Sequence, residues 1–164
     1  MTIYFDNIEK ETLENNHYRK VISTCPNNGV QLVVMSLLPN EEIGMEKHDN
    51  SDQFIRVEKG TGYAQLLDNT GKPIIYDLHD NSVIVVPSNT YHNIVNIGST
   101  PMKLYTVYSH AQHEDNIIHH LKSDDHEHDN DHEQQQQQQS NNVMKGGYKR
   151  YILSYKQKST NMNI

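Results

Sequence analysis

The sequence predicts an all-β fold, an antiparallel sandwich or barrel, on three observations. Between residues 18 and 109 the chain divides into eight runs of strand length, each with β-branched or aromatic content. Clusters of good turn-formers separate these runs at close intervals. No helical pattern lies between them, and parallel pairing would need crossovers of about a dozen residues or more. Neighbouring runs are therefore read as antiparallel.

In chain order, a short helix is expected near Ile8 to Asn15. The strand runs are YRKVIST from Tyr18, VQLVVMSLL from Val30, QFIRVEKG from Gln53, GYAQLLD from Gly62, KPIIYDL from Lys72, SVIVVP from Ser82, YHNIVNI from Tyr91 and MKLYTVYS from Met102. PNNG, PNEE, LHDN and GSTP supply turns, and Asp68-Asn69-Thr70-Gly71 is the best hairpin signal.

Composition bounds the rest. The chain has 164 residues, enough for one domain and a tail, but it is only 34% hydrophobic, so part of it is not expected to fold. The deficit lies beyond Ser109. His110, His113, His119, His120, His126, His128 and His132 fall there, followed by Gln134 to Gln139. SDDHEHDNDHEQQQQQQSNN has almost nothing apolar to bury, so ordering it costs backbone entropy without return. The last run, VMKGGYKRYILSYKQK, is basic and aromatic, and a frayed end is preferred there to a short amphipathic helix.

Fourteen Lys and Arg against twenty-one Asp and Glu give a net charge of -7. That balance repels phosphate backbones and anionic lipid, which disfavours nucleic-acid and membrane partners. Cys25 has no second cysteine with which to form a disulfide or a thiolate zinc site. Asp6 interrupts the amino terminus and the longest near-apolar run is too short to span a bilayer, so a soluble, cytoplasmic protein is expected.

The chemistry concentrates in GMEKHDNSDQFIRVEKG. Glu46 and His48 are two apart and emerge on one face of an extended segment. If HDNSD turns the chain, Gln53 returns antiparallel beside them and aims at the same point. Gln53, Ile55 and Val57 then share the apolar interior face, while Phe54, Arg56 and Glu58 face out. Asp52 becomes the better ligand if a bulge shifts the register by one residue. His92 follows the turn after Pro87 and shares its face with Ile94 and Asn96. Polar groups aimed into an apolar interior need partners, and a divalent cation serves several together. Tyr105 and Tyr108 are read as ordinary strand packing, and Gln65 and Arg56 as edge or surface residues.

These residues resemble the two motifs of the cupin superfamily. The first motif is Gly, five residues, His-X-His, three or four residues, Glu, six residues, Gly. Asn40, Glu46, His48, Gln53 and Gly60 stand at its places. The second is Gly, five residues, Pro-X-Gly, two residues, His, three residues, Asn. Asn81, Pro87, Asn89, His92 and Asn96 stand there, with Asn replacing Gly where a left-handed backbone is needed. The resemblance implies a double-stranded β-helix, or jelly roll, holding one divalent transition metal (Mn, Fe, Zn, Ni or Co) through Glu46, His48, Gln53 and His92.

The expected organisation is an N-terminal segment of the core over 1–29, the barrel over 30–109, a flanking segment over 110–122 and a disordered tail over 123–164. Small single-domain cupins similar to phosphomannose isomerase look nearest, so a metal-dependent sugar or sugar-phosphate isomerase is the leading expectation. A non-haem iron dioxygenase and a non-catalytic metal or small-ligand binder are the rivals. A small-molecule ligand and a homodimer are the partners this resemblance implies.

Overall fold

The computed structural model describes residues 3–126; the poly-glutamine stretch and the basic, aromatic run lie outside the described residues. A short helix, α1 (Ile8–Glu14), comes first. The Asn7 side chain accepts from the Lys10 backbone N–H at 3.0 Å, and Glu9 and Glu11 sit in the first turn, where acidic side chains are favoured. The helix packs on the strands that begin at Gln31, Gln53 and Met102. Near its end, Lys103 on the outer side of the barrel donates to the Asn15 carbonyl.

All eight expected strands form: β1 (Arg19–Thr24), β2 (Gln31–Leu37), β3 (Gln53–Lys59), β4 (Gly62–Leu67), β5 (Pro73–Leu78), β6 (Val83–Val86), β7 (His92–Asn96) and β8 (Met102–Tyr108). A two-residue strand, β9 (Ile118–His119), and a 3₁₀ turn at Lys122–His126 follow. That turn contains the first residues of the stretch expected to be tail.

Every pairing is antiparallel. One sheet runs β6-β3-β8-β2-β1-β9 and the other β5-β4-β7. The register fixes which side chains share the interior. Val57, Leu104, Met35, Arg19 and His119 lie in one row across the larger sheet, and Gln53, Tyr108 and Gln31 in another. Val33, Met35, Leu37, Ile55, Val57, Ala64, Ile94 and Leu104 fill the space between the sheets. Each of these side chains except Ala64 contributes on the order of 1.5–3 kcal/mol by leaving water. Among the described residues no helix is long and apolar enough to cross a membrane.

The three asparagines standing at glycine places all adopt left-handed backbone, with φ of 65° at Asn40, 69° at Asn81 and 61° at Asn89. Asparagine tolerates that conformation better than other residues with a Cβ, because its short polar side chain bonds locally. Asn81 accepts from Arg56 at 2.9 Å, and Asn89 donates to the Asp49 carbonyl at 2.8 Å. The substitutions therefore preserve the turns.

Two expectations need correction. Gln65 is only 2% exposed, on the face of β4 opposite the interior, where it lies level with Asn93 of β7. Residues 49–52 do not return the chain as a hairpin. They carry it from one sheet to the other: Glu46 bridges to His92 in the smaller sheet, while Gln53 starts a strand between β6 and β8 in the larger. Asp52 anchors the crossing, accepting from Ser88 N–H at 2.8 Å while its own N–H donates to Ser109 Oγ at 2.9 Å. Its carboxylate is thus engaged outside the interior.

Candidate metal centre

Glu46 and His92 exchange both backbone hydrogen bonds, each 2.9 Å long. They are therefore directly opposed, with side chains on the same face. His48 follows two residues on, its carbonyl accepting from Asn89 N–H at 2.8 Å. Asn93 ties the incoming chain: its side chain donates to Glu42 at 2.7 Å and accepts from Gly44 N–H at 3.1 Å. Gly44 is at φ 97°, so a residue without a Cβ is needed to bring the segment alongside β7.

The result is convergence of three side chains. Glu46 Oε1 lies 3.3 Å from His48 Nε2 and 3.3 Å from His92 Nε2, and ligand atoms from all three residues lie within 4.8 Å of one another. His92 is 1% exposed. Its Nδ1–H donates to the Thr90 carbonyl at 2.9 Å, which turns Nε2 towards the Glu46 carboxylate. That buried Nε2 has no aligned hydrogen-bond partner. Burial alone would raise the Glu46 pKa, but the two imidazoles outweigh it and hold the carboxyl well below the usual carboxylate range. Two imidazoles beside an ionised carboxylate fit a divalent cation with positions left open.

Gln53 is 2% exposed and faces the interior from β3. Its Nε2 donates to Tyr108 Oη at 3.0 Å, while its Oε1 is buried without a partner, a carbonyl available to a cation or a ligand. Tyr108 belongs to this interior and was missed as a site residue. Its ring centroid lies 5.2 Å from that of His48, and burial pushes its phenol well above the ordinary value, keeping it a neutral donor. The alternation Met102, Leu104, Thr106, Tyr108 was the available signal. Arg56 does face outward, paired to Glu58 at 3.0 Å.

The histidines after Ser109 divide. His120 stands at the surface with its Nδ1 3.0 Å from that of His17. His113 Nε2 is 3.4 Å from Tyr108 Oη, and the same residue lines a cleft of about 450 Å³ with Thr24, Cys25 and Glu114. Burial, with the Arg19 charge acting in the same direction, pushes the His113 imidazole down to about 3. The unfolded chain takes up this proton below pH 6.5 and the folded chain does not. The contribution to stability is therefore undiminished above pH 6.5 and declines as the pH falls towards 3. At pH 5 the loss is about 1–2 kcal/mol. Urea unfolding at pH 7 and pH 5 should show this loss in the natural chain and not in His113→Gln; equal losses in both would rule it out.

The cupin-domain family pattern matches residues 33–108. Protein L612 of Acanthamoeba polyphaga mimivirus is 46% identical over 112 residues, 68% of this chain and 68% of that one. YrkC of Bacillus subtilis (strain 168) is 38% identical over 123 residues, 72% of this chain and 63% of its own length. The crystal structure of BH2720 from Bacillus halodurans superposes with a TM-score of 0.70 at 34% identity, covering 74% of this chain and 92% of that one. The chain belongs to the cupin superfamily. It is a small cupin whose Glu46, His48 and His92 cluster can hold a metal ion.

Proposed function

We propose that this cupin binds one divalent transition metal through Glu46, His48 and His92, with Gln53 Oε1 beside them, and acts on a small oxygenated ligand in the barrel. The observation that carries the reading is the Glu46 carboxylate oxygen 3.3 Å from both Nε2 atoms, one of them buried and without an aligned partner. When bound there, the ion supplies Lewis-acid polarisation or, if redox-active, electron transfer.

The protein's own groups supply the rest. Thr90 fixes the His92 tautomer, Glu46 stays ionised, and the neutral Tyr108 hydroxyl offers a proton for hydrogen bonding between Gln53 and His113. Sugar-phosphate isomerisation would also need a lysine or arginine as anion partner, for which Lys47, Arg56 and Lys103 are candidates. Lys47 instead pairs with Asp49 at 2.7 Å, Arg56 with Glu58, and Lys103 with Asn15 and Asn16. Two imidazoles and one carboxylate favour the second reading, oxidative chemistry on a small substrate with non-haem iron. The homodimer stays part of the proposal, supported by exposed Val83 and Val85 on edge strand β6.

The test is elemental analysis of protein purified without a histidine tag, then turnover with and without the recovered metal. Iron with oxygen-dependent turnover is the expected result. Manganese or zinc with aldose–ketose exchange would favour the isomerase, and loaded but inert protein a binding role. Protein that holds no metal after exposure to all five candidate ions would end the proposal.

A further inference from the structure

Arg19 occupies an unusual place for a guanidinium. Its side chain is 4% exposed, and the register sets it level with Met35 of the core and with His119 on β9. A cation is rarely buried unless it is paired. Its partner comes from 106 residues away: Arg19 Nη1 donates to Asp125 Oδ1, and the same oxygen lies 2.9 Å from His119 Nδ1. Arg19 Nε remains buried with no hydrogen-bond partner, so the planar fork offers more than this one oxygen uses.

The two sides of the contact are held unequally. Arg19 is built into a strand paired on both edges, whereas Asp125 sits on a 3₁₀ turn reached through β9, two residues paired only to β1. A fixed receptor thus faces a lightly anchored carboxylate. The Asp125 and Glu46 carboxylates help hold the guanidinium charged against its burial.

We propose that Arg19 and His119 form a binding site for the carboxylate of a small organic acid, and that Asp125 fills it as an internal stand-in. A guanidinium fork beside an imidazole matches a planar, singly charged carboxylate better than a tetrahedral dianion. Departure of the turn opens the site, and an incoming acid replaces the Asp125 oxygen on Arg19. This deepens the proposed function by naming a ligand class, and it rests on that reading only where the acid is taken to be the substrate of the metal centre.

The test uses the full chain stripped of metal, so that the probe has no ion to chelate. Malonate is titrated by calorimetry into the natural protein, Asp125→Ala, and Asp125→Ala combined with Arg19→Gln. Asp125→Ala should bind malonate at least tenfold more tightly than the natural chain and gain melting temperature from it. The double variant should lose both effects. Where alanine prevents folding, Asp125→Asn replaces it, and Arg19→Lys, with charge but no fork, replaces Arg19→Gln and should weaken binding at least tenfold. Equal malonate affinity with and without Asp125, affinity indifferent to Arg19, or equal binding of inorganic phosphate or neutral malonamide would each overturn the assignment. Metal content of the same variants, measured separately, reports on the triad: malonate binding without metal retention would strike the metal reading alone.

Discussion

Replacing His92 with alanine should abolish stoichiometric metal while leaving the β circular-dichroism spectrum intact. The side chain lies at 1% exposure between Glu46 and the Thr90 carbonyl, with its tautomer set so that Nε2 faces the carboxylate. Losing a partner outside the coordination shell already costs about 10–100-fold in affinity, so losing a ligand should cost at least the upper figure. The backbone bonds between His92 and Glu46 do not involve the imidazole and remain. Elemental analysis after dialysis against a weak chelator, beside the spectrum of the same sample, checks both halves. Undiminished metal in His92→Ala would show that the convergence of Glu46, His48 and His92 is not a metal site.

Much of this centre was legible because β-structure writes its faces into the sequence with period two. Glu46 with His48, and His92 with Ile94 and Asn96, follow from that alternation alone, as does the inward face of Gln53. What the alternation does not contain is which sheet a segment joins. The hairpin expected at 49–52 placed Gln53 beside Glu46, but the chain crosses between sheets there, and Gln53 reaches the interior from the opposite wall. Arg19 was illegible for a related reason. Tyr18, Val21 and Arg19 are all buried in a run where neither alternating set is purely apolar, so the sequence does not say which side faces in. Asp125 lay further out of reach, since nothing local links a carboxylate in an acidic, histidine-rich stretch to a strand 106 residues earlier. The asparagines of the two motifs show the opposite case. Left-handed φ is a local demand, and local demands are read directly from residue type.

The largest stability effect should come from Gly62→Ala, a change of one methyl group. Gly62 opens β4 opposite Asn96 of β7 and Leu78 of β5. A Cβ there would land well inside contact distance of the Val95 carbonyl oxygen and 3.1 Å from its carbon, with the Met102 methyl group also in the way. Methionine can swing aside, but the carbonyl belongs to the strand that carries His92, so β4 and β7 must part to admit the methyl. Core overpacking costs about 1–3 kcal/mol where side chains absorb it, and a backbone clash should exceed that, at about 4 kcal/mol or more. The melting temperature should fall by more than about 10 °C. Gly71→Ala is the matched control. It sits at φ 78° in the turn between β4 and β5, with nothing near its Cβ, so only the left-handed penalty of about 1–2 kcal/mol applies. Metal content should track the difference, because separation of β7 moves His92 away from Glu46. A Gly62→Ala protein melting within a few degrees of Gly71→Ala would mean that the smaller sheet yields easily, and that the metal centre is not held by the close contact between β4 and β7.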